Sequence, residues 1–117
     1  GLARIKNAVD GERRHQTFNR KMKEQHPNAI IQCECYLRDA SGRSVQDPIT
    51  EERRRVDTAI IENGRAQTYE ITSPNALKQS QIDKENRIID AGGIYIKDRK
   101  TQNLIPINGP SIIYRLP

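Results

Sequence analysis

Apolar side chains change their spacing several times along the chain, and each change predicts an element. Between residues 2 and 25, Leu2, Ile5, Ala8, Val9, Phe18 and Met22 approximate an amphipathic stripe, with a break expected at Asp10-Gly11. One or two helices follow. His26-Pro27-Asn28 ends the stretch, because the residue before a proline avoids the α region. Residues 29–38 (AIIQCECYLR) alternate as a strand, and 39–42 predict a turn into a short return strand at 43–45. A second strand is expected at 54–61 and a third at 65–72, joined by Asn63-Gly64. That pair favours a two-residue type I′ hairpin, in which both central residues need positive φ. Ser73-Pro74 predicts a helix cap, with the helix running over 76–91, Leu77, Ile82, Ile88 and Ile89 on its core side, and Gly92-Gly93 as its stop. Residues 94–97 and 111–115 read as further strands, with a turn at 98–103. Helix, strands, helix, strand predicts an α+β (α/β/α) arrangement around one mixed, largely antiparallel sheet.

At 117 residues, 34% hydrophobic and 30% charged, the chain suits one domain over 1–117, a basic helical part at 1–27 preceding a sheet-helix core at 28–117. No apolar run approaches the roughly 18–20 residues that span a bilayer, so stable membrane association is not expected. The N-terminus lacks a signal-peptide pattern, and Gly1 directly before a helical stretch reads as the cut end of a larger parent.

Charge changes the picture more. Lys and Arg number 20 against 15 Asp and Glu, a net +5 that favours polyanionic or acidic partners. The bias concentrates near the N-terminus, where Arg4, Lys6, Arg13, Arg14, Arg20, Lys21 and Lys23 face only Asp10, Glu12 and Glu24. Cys33 and Cys35, one residue apart on a strand, resist bridging and read as reduced packing residues. With His15 and His26 out of ligand spacing, they make no zinc site.

The hairpin register carries the candidate chemistry. With Asn63-Gly64 as the loop, Glu62 opposes Arg65, Ile60 opposes Gln67 and Asp57 opposes Glu70. Val56, Ile71 and Ile60 are expected on one face of this hairpin and the acids on the other, with Ala59, Thr68, Ile61 and Ala66. Two opposed carboxylates repel unless a cation or a shared proton compensates, and a divalent metal meets that need. A plainer reading is an exposed acidic pair neutralised by Arg53, Arg54 or Arg55. Glu34, a charge within the most apolar strand, needs a partner and would complete a metal cluster. On the following helix, Lys78, Gln81, Ile82, Glu85 and Ile89 share a face, which brings Lys78 and Gln81 over the end of the third strand.

Arg55-Val-Asp57, Glu70-Ile-Thr72, a helix and Gly92-Gly93 resemble the PD-(D/E)XK nuclease core, the restriction-endonuclease-like αβββαβ fold. More narrowly, Tyr36 to Asp39, Asp47-Pro48, Arg54 to Asp57, Glu70 to Ser73, Gln81 to Glu85 and Ala91 to Gly93 resemble C-terminal toxin domains of contact-dependent growth inhibition and related polymorphic toxins. The likeness spans residues 30–105. It implies a metal-dependent endonuclease, with Asp57 and Glu70 holding Mg²⁺ (or Mn²⁺ or Zn²⁺) and Glu34 supporting them. The family's lysine, two residues after the glutamate, is Thr72 here, and Lys78 is the nearest replacement. Lys78 or Gln81 would position the nucleophile. The resemblance further implies an RNA substrate, with tRNA favoured over DNA. Delivery from a secreted or cell-surface bacterial protein into the target-cell cytoplasm is implied too, as is a cognate immunity protein, acidic where it touches the domain. Arg13, Arg14, Lys21, Lys23 and Arg53 to Arg55 would neutralise the nucleic-acid backbone, and Tyr36 and Tyr69 could stack a base. A DNase toxin of the same fold, a non-catalytic nucleic-acid-binding module and a protein-interaction domain are the alternatives.

Overall fold

The computed structural model describes residues 2–117; Gly1 lies outside the described residues. The first helix, α1 (Leu2–Gln25), is continuous through Gly11, where a break was expected. An added Cβ at Gly11 would meet nothing within 4 Å, so no packing bends the helix there. Pairs one turn apart carry it across: Lys6 Nζ lies 2.9 Å from Asp10, and Gln16 donates to Glu12 at 3.2 Å. Only Phe18 and Met22 are buried, and residues 2–9 are all exposed. The helix ends before Pro27, as expected.

Strands β1 (Ile30–Tyr36), β2 (Arg55–Glu62) and β3 (Arg65–Thr72) form an antiparallel meander. Asn63 and Gly64 both take positive φ (55° and 77°), so the hairpin closes on two residues and pairs Glu62 with Arg65, Ile61 with Ala66 and Ile60 with Gln67. The return strand expected at 43–45 is absent. Asp39 Oδ1 accepts from the amides of Ser41 and Arg43, tightening a turn that leaves only an isolated bridge between Arg38 and Ser44. The long β1–β2 connection is anchored by Asp47, which is fully buried and receives both Nε (2.8 Å) and Nη2 (2.7 Å) of Arg87.

Helix α2 (Gln79–Asp90) begins three residues later than predicted. Arg115 Nη1 takes the carbonyls of Ser73, Pro74 and Ala76, which holds this stretch as a non-helical turn. Leu77, expected in the core, is 97% exposed as a result. Beyond α2 come β4 (Tyr95–Lys97) and β5 (Leu104–Pro106), a separate two-stranded sheet. β5 is a short strand the alternation did not single out. Last, β6 (Ile112–Arg115) runs parallel to β3, so the main sheet is mixed, in the order β1-β2-β3-β6. The fold is thus α+β, with two sheets in place of the one expected.

Both faces of the main sheet are covered. Phe18 and Met22 of α1 pack on Ile60 and Ile71, with Tyr69 and Tyr114 set 5.0 Å from the Phe18 ring. On the other side, Ile88 of α2 and Ile96 of β4 pack on Ala59, Ile61 and Ala66. Val56 joins this second cluster and not the first, which corrects the expected pairing of Val56 with Ile71. A clean alternation cannot put Val56 and Ala59 on one face, so the pleat is interrupted between them.

Gly93 follows α2 where the backbone approaches Ile88: an added Cβ would lie 2.6 Å from Ile88 Cγ2 and 3.0 Å from its carbonyl oxygen. Gly93→Ala is therefore expected to destabilise the protein by about 1–3 kcal/mol through overpacking. Gly11→Ala, in open space on a helix, is expected to stabilise by about 0.5–1 kcal/mol. Denaturant unfolding of both variants measures the two signs.

Candidate functional site

The β2–β3 ladder runs from the hairpin to Thr58 opposite Tyr69 and then lapses, one pair short of Asp57 and Glu70. At that point Asp57 Oδ2 accepts the Ile71 amide at 2.9 Å, so a carboxylate replaces a backbone carbonyl as the partner of a strand N–H. The interrupted pleat at Val56 and this side-chain bond are two views of one local distortion. It sets Asp57 beside Glu70, as the register predicted.

Glu70 is 4% exposed and both its oxygens are engaged. Arg54 Nη2 donates to Oε2 at 2.9 Å, and Lys78 Nζ donates to Oε1 at 3.2 Å. Lys78, immediately before α2, thus reaches the acidic pair, and the family position two residues after the glutamate is filled by Thr72, itself buried at the end of β3. Gln81 makes no hydrogen bond to the pair. It lines a separate concavity with Thr50, Lys84 and Arg87, its buried Oε1 unpartnered.

Arg54 corrects the sequence reading most sharply. Expected among surface cations for a nucleic-acid backbone, it is 6% exposed and lies between two carboxylates, with Nε 3.6 Å from Glu85 Oε1. Glu85, also buried, receives the Ser111 amide at 2.9 Å and the Ser111 hydroxyl at 2.6 Å. Thr68 Oγ1 lies 2.8 Å from that hydroxyl and completes the chain. Glu85 was legible as a member of the Lys78 helix face and Thr68 as a member of the acid-bearing sheet face; Ser111 carried no signal, because only the parallel docking of β6 brings it to them.

Ionisation follows from this packing. Burial, then the neighbouring charge of Glu70, pushes the Asp57 carboxyl up to about 6, against the opposing hydrogen bond from the Ile71 amide. Burial acts on Glu70 in the same sense, but the Arg54 ion pair, aided by Lys78, outweighs it and holds Glu70 below the usual carboxylate range. Of the two acids, Glu70 keeps its charge and Asp57 is the one that takes up a proton.

Glu34 is not brought to this locus. It adopts φ 60°, its side chain is 53% exposed, and its Oε2 lies 2.6 Å from Arg55 Nε. Among the described residues no group of three or more His, Cys, Asp or Glu side chains gathers to hold a metal, so the expected third acid is absent from the pair. Cys33 and Cys35 are free thiols. Of the remaining cations, Arg13 and Arg14 donate to the carbonyls of Pro117 and Leu116, Lys21 to the Tyr114 hydroxyl, and Arg53 to Ser44, while Lys23 is exposed. Tyr69, considered for stacking, packs between α1 and the sheet instead.

The chain matches no family model, no curated protein and no solved structure. The site's chemistry rests on its own geometry.

Two expected outcomes test that geometry. Arg54→Met leaves Glu70 and Glu85 without their shared cation and should cost about 3–5 kcal/mol in denaturant unfolding. For Asp57, the folded value near 6 exceeds the ordinary 3.8, so the folded protein binds the extra proton. The resulting stabilisation is complete below about pH 4 and is lost as pH rises through 6. Without divalent ions, the melting temperature should fall by a few degrees between pH 5 and 7, on the order of 1 kcal/mol after discounting for partial exposure. Asp57→Asn should flatten that fall, and the difference between the two proteins isolates this carboxyl from other titrating groups.

Proposed function

We propose that this domain is a metal-dependent endonuclease of the PD-(D/E)XK, restriction-endonuclease-like class, acting as a toxin on nucleic acid of a target cell, with RNA, and tRNA in particular, as the favoured substrate. One observation carries the reading: a lysine from the start of α2 meets Glu70 where Asp57 adjoins it, so two acids and a lysine converge from three separate segments. The order α1, β1, β2, β3, α2 and a final strand parallel to β3 supports it, with β4 and β5 as an insertion.

Two neighbouring carboxylates, hard oxygen donors of like charge, suit Mg²⁺, which is commonly held by one or two carboxylates plus water and substrate phosphate. Asp57 and Glu70 would hold it; Glu34 would not. When bound, a divalent ion polarises the scissile phosphate and lowers the pKa of a coordinated water. The chain's own residues do the rest. Glu70 stays anionic because Arg54 fixes it, and Arg54 is fixed in turn by Glu85, which Ser111 holds. Lys78, only partly buried, is free to exchange its bond to Glu70 for one to a phosphate oxygen or to the attacking water. The parent protein would be a secreted or cell-surface bacterial protein, and an acidic immunity protein is the partner that the +5 charge favours.

A second reading has its own support. Two cations saturate Glu70, as in a purely structural ion cluster, and this favours a nucleic-acid-binding module without chemistry. Incubation with tRNA and with plasmid DNA, in Mg²⁺ and in EDTA, separates the two. Cleavage of tRNA is expected in Mg²⁺ only. Glu70→Gln and Lys78→Met should each lower the rate by about 100-fold or more while the fold persists. Full activity in Glu70→Gln would sink the catalytic assignment, and cleavage of plasmid alone would make the domain a DNase.

A further inference from the structure

Four cations surround one concavity on the β1 side of the sheet. Arg38, Arg55, Lys97 and Arg99 line a hollow of about 420 Å³ together with Tyr36 and a single acid, Glu34. Arg99 Nη2 donates to the Glu34 carbonyl at 2.6 Å, and Arg38 Nη1 to the Gly42 carbonyl at 2.9 Å. Each guanidinium therefore spends one edge on the backbone and keeps other donors for a ligand. Glu34 holds an unusual left-handed backbone, φ 60°, which directs its carboxylate onto Arg55. The protein thus places its own anion on one of the groove's cations.

We propose that this groove is the docking site for an unpaired nucleic-acid strand, and that the Glu34 carboxylate occupies on Arg55 the place of a backbone phosphate. Tyr36, 39% exposed on the groove wall, offers its ring to a base, and stacking of that kind requires a base that is not paired. A hollow of this volume takes a nucleotide or two and not a duplex. Its position suits the catalytic pair. Cys33 opposes Thr58 and Cys35 opposes Val56, so Glu34 lies alongside Asp57 on the neighbouring strand, at the roughly 5 Å between opposed Cα atoms. The groove thus adjoins Asp57 through the backbone of β1 and β2, while the Asp57 side chain is not part of its lining. The identity of the polyanion as nucleic acid rests on the endonuclease reading, whereas the groove's binding of an anionic strand does not.

The expected behaviour is unusual for an acidic residue near an active site. Removing the competing carboxylate by Glu34→Gln should strengthen binding of a fluorescein-labelled oligouridylate of ten residues by a few-fold in EDTA, read by fluorescence anisotropy. Lys97→Glu should weaken it about tenfold and flatten its salt dependence. Tyr36→Leu should weaken it about tenfold with the salt slope unchanged. Melting curves establish that each variant is folded, and Lys97, on the surface of a short strand, is the variant least exposed to that difficulty. Unchanged or weaker binding by Glu34→Gln, or unchanged binding by Lys97→Glu, overturns the proposal. So does a polyglutamate peptide that binds as tightly as the oligonucleotide, which would assign the groove to an acidic protein surface. Because binding is read without metal or turnover, its failure is distinct from failure of the catalytic reading, which shows as full activity in Glu70→Gln.

Discussion

Arg54 is the charge around which the rest of the site is organised. It stands just before β2, yet its guanidinium reaches Glu70 on β3 and Glu85 on α2, and Glu85 in turn holds the residue that leads into β6. A buried carboxylate is tolerated only when paired, and here two share Arg54, with Lys78 completing Glu70 and the Ser111 amide and hydroxyl completing Glu85. Breaking the cluster would expose every member to the same desolvation cost, so the helix, the meander and the last strand are held in one arrangement by electrostatics as well as by apolar packing.

That arrangement explains why two neighbouring acids differ. Glu70 has Arg54 and Lys78 on its two oxygens and stays charged; Asp57 is driven toward the protonated form by burial and then by the repulsion of Glu70, which the single Ile71 amide does not offset. The distortion at Asp57 turns one of its carboxylate oxygens onto the Ile71 amide. Another buried acid, Asp47, serves a different end. Its bidentate bond to Arg87 ties the long β1–β2 connection to α2, and the guanidinium holds its carboxyl well below the usual range.

Hairpin register was legible because Asn63-Gly64 admits few alternatives, and once the loop is set, pairing down the strands follows by counting. Lys78 was legible by helical geometry even though the helix starts later than its sequence signals suggest, since a residue at the helix entrance lies near the end of the preceding strand in either case. Ser73-Pro74 misled for an identifiable reason: its carbonyls are claimed by Arg115, 39 or more residues distant, and no local rule anticipates that competition. Glu34 misled similarly. An acid among apolar neighbours needs a partner, but the left-handed backbone at that residue lets it find Arg55 at the surface.

The amino-acid sequence by itself determined what depends on neighbours along the chain: the hairpin, the end of α1 at Pro27, the stop of α2 at its glycines, and the opposition of Asp57 to Glu70. Only the tertiary structure decided which charges are buried. A run of three arginines at 53–55 presents three equivalent cations to any local reading, yet one bonds Ser44, one is sealed between Glu70 and Glu85, and one pairs with Glu34. Burial depends on what other segments are laid over a position, and its electrostatic consequences follow from that packing, not from the order of residues.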